Sequence, residues 1–381
     1  MRRFELSERF VRVVGKAAEL LREGGLEWPP STDRELIEEA LELLGCRKPD
    51  REGVFKLEEL GFYDEINPPP LRVFDSTEEL LYRNWPTPLV KLRSLSGDGL
   101  RVWAKLECYN PFSMSVKDRI GWAMVREYLD KNPGAKVVLY EATSTNTGMA
   151  LAAMAAIRGL RVRLYLPATI QKASDVLLTV MGAEVCRKPK ALTVEFIDEV
   201  EVEARIMGGV HLNQFENDAN FKVHFRYTAK ELDLQVKSAS LNLKGIVGGL
   251  GTSGHMSAIA LYFKSRYSGG VRVYGVQPAS GTSIPGIRRV ETGMKWARIA
   301  PIDRVIDVTP EEAVEQAVRV ARSEGLLIGL SSGAVTAAFE KLRSEGALEE
   351  GDYVLIYPDH GFKYVEQFSR YLFGEAQRLG E

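Results

Sequence analysis

Twice in this chain a short apolar run ends in a loop of small residues, and the loop opens straight into a helix-like stretch. Val137-Val138-Leu139-Tyr140 leads into Glu141-Ala142-Thr143-Ser144-Thr145-Asn146-Thr147-Gly148 and then into an apolar segment over 149–157. Gly245-Ile246-Val247 leads into Gly248-Gly249-Leu250-Gly251-Thr252-Ser253-Gly254-His255 and then into 256–263. A short apolar run bounded by polar turn residues reads as a strand buried on both faces, and such strands belong to parallel sheets. Alternating strands and helices require right-handed crossovers, so the pattern predicts an α/β fold. Ligands of such sheets bind beyond the C-terminal strand ends, where helix-start amides attract anions. Both loops are therefore candidate binding loops.

Their chemistry differs. The first offers hydroxyl and amide donors with little bulk. The second is glycine-rich, so its backbone N–H groups can approach a phosphate closely. Residues 249–254 also fit Gly-x-Gly-x-x-Gly, the dinucleotide fingerprint, which needs an acidic residue about 20 positions on. Between Asp233 and Glu291 there is no Asp or Glu, while seven lysines and arginines fall in the interval. A lone phosphate monoester fits that charge balance better.

A third segment reads Asn110-Pro111-Phe112-Ser113-Met114-Ser115-Val116-Lys117-Asp118-Arg119. Pro111 stops the strand-like run 101–107, and Ser115 is placed to cap a helix over 116–129. Lys117 then falls in the first turn, where the helix already carries positive partial charge. That placement, and burial, would push its pKa below the usual value of about 10.4, toward the neutral amine that forms imines. A solvated lysine in a charge cluster is the competing reading of this stretch alone.

Taken together, these segments resemble the cysteine synthase and cystathionine β-synthase family. Asn110-Pro111 with Ser115-Val116-Lys117-Asp118-Arg119 is similar to its pyridoxal-phosphate lysine motif. Thr143-Ser144-x-Asn146-Thr147-Gly148 resembles its substrate-carboxylate loop, and Gly251-Thr252-Ser253-Gly254-His255 its cofactor-phosphate loop. Trp85-Pro86-Thr87-Pro88-Leu89-Val90, Gln214-Phe215-Glu216-Asn217 and Gly329-Leu330-Ser331-Ser332-Gly333-Ala334 match further family stretches in the same order. The similarity covers roughly 81–370.

The resemblance implies a fold-type-II enzyme: two parallel-sheet α/β domains plus, here, a helical N-terminal extension over 1–76. By analogy 111–221 forms a small mobile domain, and 77–110 with 222–381 the large cofactor-binding one. The cofactor implied is pyridoxal 5′-phosphate. Lys117 would hold it as an imine and then act as base, Asn146 would meet the pyridoxal 3′-oxygen, and Gly251, Thr252, Ser253, Gly254 and His255 would cradle the phosphate. Ser331 (or Ser332) would meet the pyridine nitrogen, while Thr143, Ser144, Thr147 and Gln214 would hold the substrate carboxylate. The reaction implied is β-replacement on an activated serine through an α-aminoacrylate, trapped by sulfide or by a sulfur-carrier protein's thiocarboxylate. A homodimer is implied as well.

Arg288, in Gly286-Ile287-Arg288-Arg289, stands where members using O-phosphoserine carry an arginine, and a guanidinium fork suits a dianionic phosphate. Within the family the match is most like archaeal-type O-phosphoserine sulfhydrylases, which make cysteine from O-phosphoserine and sulfide. O-acetylserine sulfhydrylase, cystathionine β-synthase and a serine or threonine dehydratase are the alternatives. Three departures from the family pattern stand out. Thr145 replaces a Gly and should make the pocket floor bulkier; Ser253 and His255 replace Gly and Thr; and Tyr357-Pro358-Asp359-His360-Gly361 replaces a Ser-containing turn. His360 reads as a turn histidine bonded to backbone in preference to a base.

The remaining composition agrees. With 381 residues the chain can bury two or three cores, and a net charge of −2 gives no case for nucleic acid or membrane surfaces. Met1-Arg2-Arg3-Phe4-Glu5 lacks an apolar signal core, and three widely spaced cysteines suit a cytoplasmic, reduced protein. Four histidines, none at ligand spacing, give no metal motif. Helical spacing over 4–22 and 33–44, followed by Pro68-Pro69-Pro70, predicts a helical extension on a stiff linker.

Overall fold

Apolar runs that read as strands in the sequence pair as two separate sheets. In chain order the strands are β1 (Leu89–Lys91), β2 (Leu100–Leu106), β3 (Val138–Ala142), β4 (Arg161–Pro167), β5 (Glu184–Lys188), β6 (Val210–His211), β7 (Leu243–Gly249), β8 (Arg272–Pro278), β9 (Arg304–Val308) and β10 (Gly351–Tyr357). One sheet has the order β1-β2-β10-β7-β8-β9 and the other β5-β4-β3-β6. Every pairing is parallel except β1 with β2 at one edge. These elements come from a computed structural model that describes residues 72–268 and 270–374, together with Arg12. The chain divides into two compact units, Met1–Val73 and Phe74–Glu381, and only the second is built from described residues throughout its core. The helices expected over 4–22 and 33–44, and the proline linker, lie outside the described residues.

The larger sheet is covered on both faces, and its central strands β10 and β7 are accordingly mostly apolar. Helices Pro310–Glu324 and Leu330–Ser344 pack on one face of the larger sheet through Ala313, Val320, Ala334 and Phe339 against Leu355 and Val247. Helices Lys230–Ser238 and Gly254–Arg266 cover its other face through Leu232, Ile259 and Phe263. Sequence signals place the Pro310 helix unambiguously. Thr309 accepts from the Glu312 N–H in a capping box, proline opens the first turn, and Gly325 closes the helix in the left-handed conformation at φ 71°.

The smaller sheet packs against helices Lys117–Lys131 and Thr145–Arg158 through Ile120, Met124, Leu151, Leu139 and Leu164. The Lys117 helix is tied to the larger sheet too, because the Val116 N–H donates to the Pro358 carbonyl at 2.8 Å, just past β10. Its first turn is further fixed by a buried charge quartet. Arg119 lies between Glu107 (2.7 Å) and Glu231 (2.5 Å), and Lys105 also reaches Glu231 at 2.7 Å. Two cations face two anions, so the cluster is neutral, and loss of one partner would strand a buried charge at a cost of about 3–5 kcal/mol. Among the described residues no helix is long and apolar enough to cross a membrane.

Candidate active site

The helix expected over 116–129 begins at Lys117 and runs to Lys131. It starts one residue late because Val116 is already held by Pro358; the Ser115 hydroxyl accepts the Lys117 N–H at 3.1 Å. Asp118 takes the N–H groups of Phe112 and Ser113 at 2.7 and 2.9 Å, folding the Pro111 turn back onto the helix start. Burial pushes the Asp118 carboxyl up to about 6. From Val116 to Ile120, Lys117 alone escapes full burial. Among the described residues its amine makes no hydrogen bond or ion pair. Desolvation pushes the amine down to about 8, opposed by the nearby Asp359 carboxylate.

The hydroxyl-rich loop follows β3, and the helix opens inside it, at Thr145 and not at 149. Its first turn therefore presents Asn146 and Thr147. Asn146 donates through Nδ2 to Asp359 at 2.8 Å. The Thr147 hydroxyl donates to Gln214 Oε1 at 2.8 Å, and Gln214 Nε2 in turn donates to the Ala142 carbonyl at 3.1 Å. Beneath them lies Glu141, fully buried, accepting the Gln214 backbone N–H at 3.2 Å. Burial pushes Glu141 up to about 8. Two expectations need correction. The Thr143 hydroxyl turns to the Ser144 carbonyl at 2.7 Å and does not line the cavity, because its side chain is buried under the loop. Thr145 does not thicken the pocket floor; its hydroxyl meets Ser174 at 2.6 Å, away from the cavity.

At the glycine-rich loop, bare Cα positions do structural work. A Cβ on Gly251 would lie 2.6 Å from the Gly286 carbonyl and 4.0 Å from Lys117 Nζ. Ser253 adopts φ 72°, the left-handed region that glycine takes freely, and its hydroxyl accepts the Ala297 N–H at 3.2 Å. Thr252 Oγ1 accepts from Asn220 at 2.9 Å. Gly254 opens the helix. The His255 ring packs on His224 with centroids 4.8 Å apart, its Nε2 is buried without a partner, and burial pushes it down to about 3.

These parts converge on a cavity of about 180 Å³ lined by Lys117, Ser144, Asn146, Thr147, Gln214, Gly251, Thr252 and Arg288. A crevice of about 30 Å³ adjoins it, where Lys117 meets Gly251, Ser253, His255 and Gly286. Thr143, Gly254 and Ser331 line neither, although Ser331 lies in the first turn of its helix behind Gly286. Arg288 donates to the carbonyls of Gly251 (2.8 Å) and Gly293 (2.9 Å) and to Thr292 Oγ1 (3.2 Å), and stacks over Phe215 at 5.0 Å. Arg289 points elsewhere and pairs with Asp307 and Glu291. His360 is a turn residue whose Nδ1 accepts the Phe362 N–H at 3.2 Å.

An amine without a partner among the described residues, beside a glycine cradle at a helix start, is what a carbonyl-bearing phosphate ester requires. The profile of a family described as "Pyridoxal-phosphate dependent enzyme" matches residues 80–359. The chain belongs to that family. Cysteine synthase B of Pseudomonas aeruginosa is 36% identical over 289 residues, which cover 73% of this chain and 93% of the relative. Cystathionine beta-synthase of Saccharomyces cerevisiae is 31% identical, over 74% of this chain and 61% of the relative. Among solved structures, O-ureido-L-serine synthase superposes with a TM-score of 0.70 at 25% identity, over 80% of this chain and 97% of the other. The fold is thus the fold-type-II arrangement of this family, and its cofactor is pyridoxal 5′-phosphate.

Sequence reading missed two carboxylates, Asp359 and Glu141. Glu141 is an acid inside an otherwise apolar strand run, and that misfit was the available signal, whereas Asp359 lies in the turn two residues past β10, where an acid is ordinary.

Proposed function

We propose that this enzyme makes cysteine by β-replacement, taking O-phosphoserine and sulfide to cysteine and phosphate. The carrying observation is Arg288: a partly buried guanidinium on the cavity wall that forms no ion pair among the described residues. Its donors meet only neutral acceptors, and burial pushes it down to about 10. A dianionic leaving group would supply the missing charge, through the fork that guanidinium offers.

When bound, pyridoxal phosphate supplies the electron sink that acidifies the Cα proton and allows the β-substituent to leave. Lys117 would hold the cofactor and, once free of it, its neutral amine would take the Cα proton; the depressed pKa fits that duty near neutral pH. Amides of Gly251, Thr252, Ser253 and Gly254 bind the cofactor phosphate, with His255 contributing its backbone. Asn146 would serve the ring oxygen, and Ser331, behind Gly286, the ring nitrogen. Ser144, Thr147 and Gln214 hold the substrate carboxylate, and Arg288 holds the departing phosphate. Closure of 111–221 over the cavity excludes water during the exchange.

The cysteine synthase B relatives favour a second reading, O-acetylserine as the activated serine, and the yeast relative a third, homocysteine as the sulfur nucleophile. Comparing kcat/KM for O-phosphoserine, O-acetylserine and serine with sulfide decides between substrates. The proposal expects O-phosphoserine to lead by at least tenfold; a lead for O-acetylserine would replace it with the second reading.

A further inference from the structure

Asp359 stands where the two sheets meet. It follows β10 and Pro358 and is 1% exposed. Its backbone is pinned on two sides: Gly329 N–H donates to its carbonyl at 3.0 Å, and it bridges to Ser115, two residues before Lys117. The carboxylate reaches a third segment. Oδ2 accepts from Asn146 at 2.8 Å and from the Tyr364 hydroxyl at 2.5 Å, with Lys363 Nζ 3.8 Å away. Oδ1 is buried and, among the described residues, has no hydrogen-bond partner. It is seated against the bare Cα of Gly329, where any Cβ would overlap it. The same glycine caps the helix that carries Ser331.

We infer that Asp359 is a positioning residue of this site: its carboxylate orients the Asn146 amide and stands as the counter-charge beside Lys117, whose helix start it holds through Ser115. Two arguments carry this. An amide whose NH₂ end is bound by a carboxylate has one orientation only, since its oxygen would be repelled there. A buried carboxylate oxygen lacking a donor is costly unless a cation offsets it, and Lys117 and Lys363 are the cations around it. On its other side Lys117 shares a crevice with His255, which burial holds neutral, so Asp359 provides its counter-charge. A base that must hold a proton and then return it benefits from such a partner.

The inference rests on the assignment of Lys117 and Asn146 to the cofactor, so its test uses readouts independent of turnover. In cofactor-free full-length protein, Lys117 acylation by acetic anhydride, which releases acetate, followed by mass spectrometry against pH, should show a midpoint near 8. Asp359→Asn should lower that midpoint by about one unit, which raises labelling at pH 6 about tenfold. In a Lys117→Ala background, Asp359→Asn should weaken pyridoxal phosphate binding in equilibrium dialysis about fivefold, as the Asn146 amide loses its fixed orientation. If the asparagine variant does not fold, Tyr364→Phe replaces it. That change frees the carboxylate to rotate, so cofactor affinity should fall about threefold while the Lys117 midpoint stays put. Unchanged midpoint and affinity in Asp359→Asn, or unchanged affinity in Tyr364→Phe, would overturn the inference. Turnover surviving in Lys117→Ala would instead sink the assignment of the lysine, and leave the labelling result standing.

Discussion

The two sheets meet the cavity with different materials. The larger sheet ends in glycines, and it offers main-chain amides at the start of the Gly254 helix. The smaller sheet offers side chains: Ser144, Asn146, Thr147 and, past β6, Gln214. Their interiors differ in the same sense. Every residue of β10, central in the larger sheet, is buried, whereas β5, at the edge of the smaller one, has none that is. A deeply buried sheet suits a rigid backbone cradle, and a small sheet with an open edge is compatible with the substrate binding and closure proposed for it. Main-chain contacts cannot be deleted by truncating a side chain, so mutation should weigh unequally on the two halves.

Lys117 belongs to both halves, and its loss should be the largest. Lys117→Ala should reduce β-replacement about a thousandfold or more, the upper range for removing a general base. Steady-state cysteine formation checks it, and near-normal rates would break the division of labour outright.

Next comes Arg288, the side chain on the larger sheet's half that is proposed to hold the substrate phosphate. Arg288→Ala should lose about 2–4 kcal/mol in kcat/KM with O-phosphoserine, a ratio of hundreds or more, and far less with O-acetylserine. Arg289→Ala is the control, because that side chain is already engaged by Asp307 and Glu291. Equal losses for both substrates at position 288 would make the arginine structural.

On the smaller sheet, Gln214→Ala should raise KM through a loss of about 1.5–3 kcal/mol while leaving the resting cofactor spectrum alone. Thr143→Ala should cost only about 1 kcal/mol, since its hydroxyl serves the Ser144 carbonyl. A collapsed spectrum in either variant would mean the side-chain half supports cofactor as well as substrate.

The smallest effect concerns stability. Glu141 is held up at about 8 in the fold, against about 4.3 for an unfolded glutamate. Between those values the folded chain keeps a proton that the unfolded chain has released, so stability should fall as pH rises from about 4 to 8. Glu141→Gln removes this dependence, and its stability advantage over wild type, measured by urea unfolding, should grow with pH to ~1–3 kcal/mol above pH 8. A pH-independent difference would mean that Glu141 is already ionised in the fold.

Much of this site was legible because its parts are local. Pro111, Ser115 and Lys117 lie within seven residues, so turn, cap and amine follow from spacing alone. The glycines and hydroxyls sit at strand ends for the same reason. What stayed hidden depends on contacts between distant segments. Nothing near Thr143 says that its hydroxyl turns inward, nor near Thr145 that Ser174 waits for it, 29 positions on. Asp359 meets Asn146 from 213 positions away, and only the assembled sheets bring them together. Helix starts were misjudged by one residue at 116 and four at 149, in both cases because tertiary bonds decide where the first turn closes.

The strand order holds one more consequence. β10 is the latest of the described strands in the chain, yet it lies between β2 and β7, which do not pair with each other. During synthesis, therefore, the six-stranded sheet has a gap at its centre until residues 351–357 have left the ribosome. The smaller sheet, complete by His211, can assemble well before then. The anchor for the Lys117 helix at Pro358 arrives with that same final strand. A nascent chain thus has no finished cofactor pocket to fill, and ribosome-bound fragments ending before residue 351 should not retain pyridoxal phosphate.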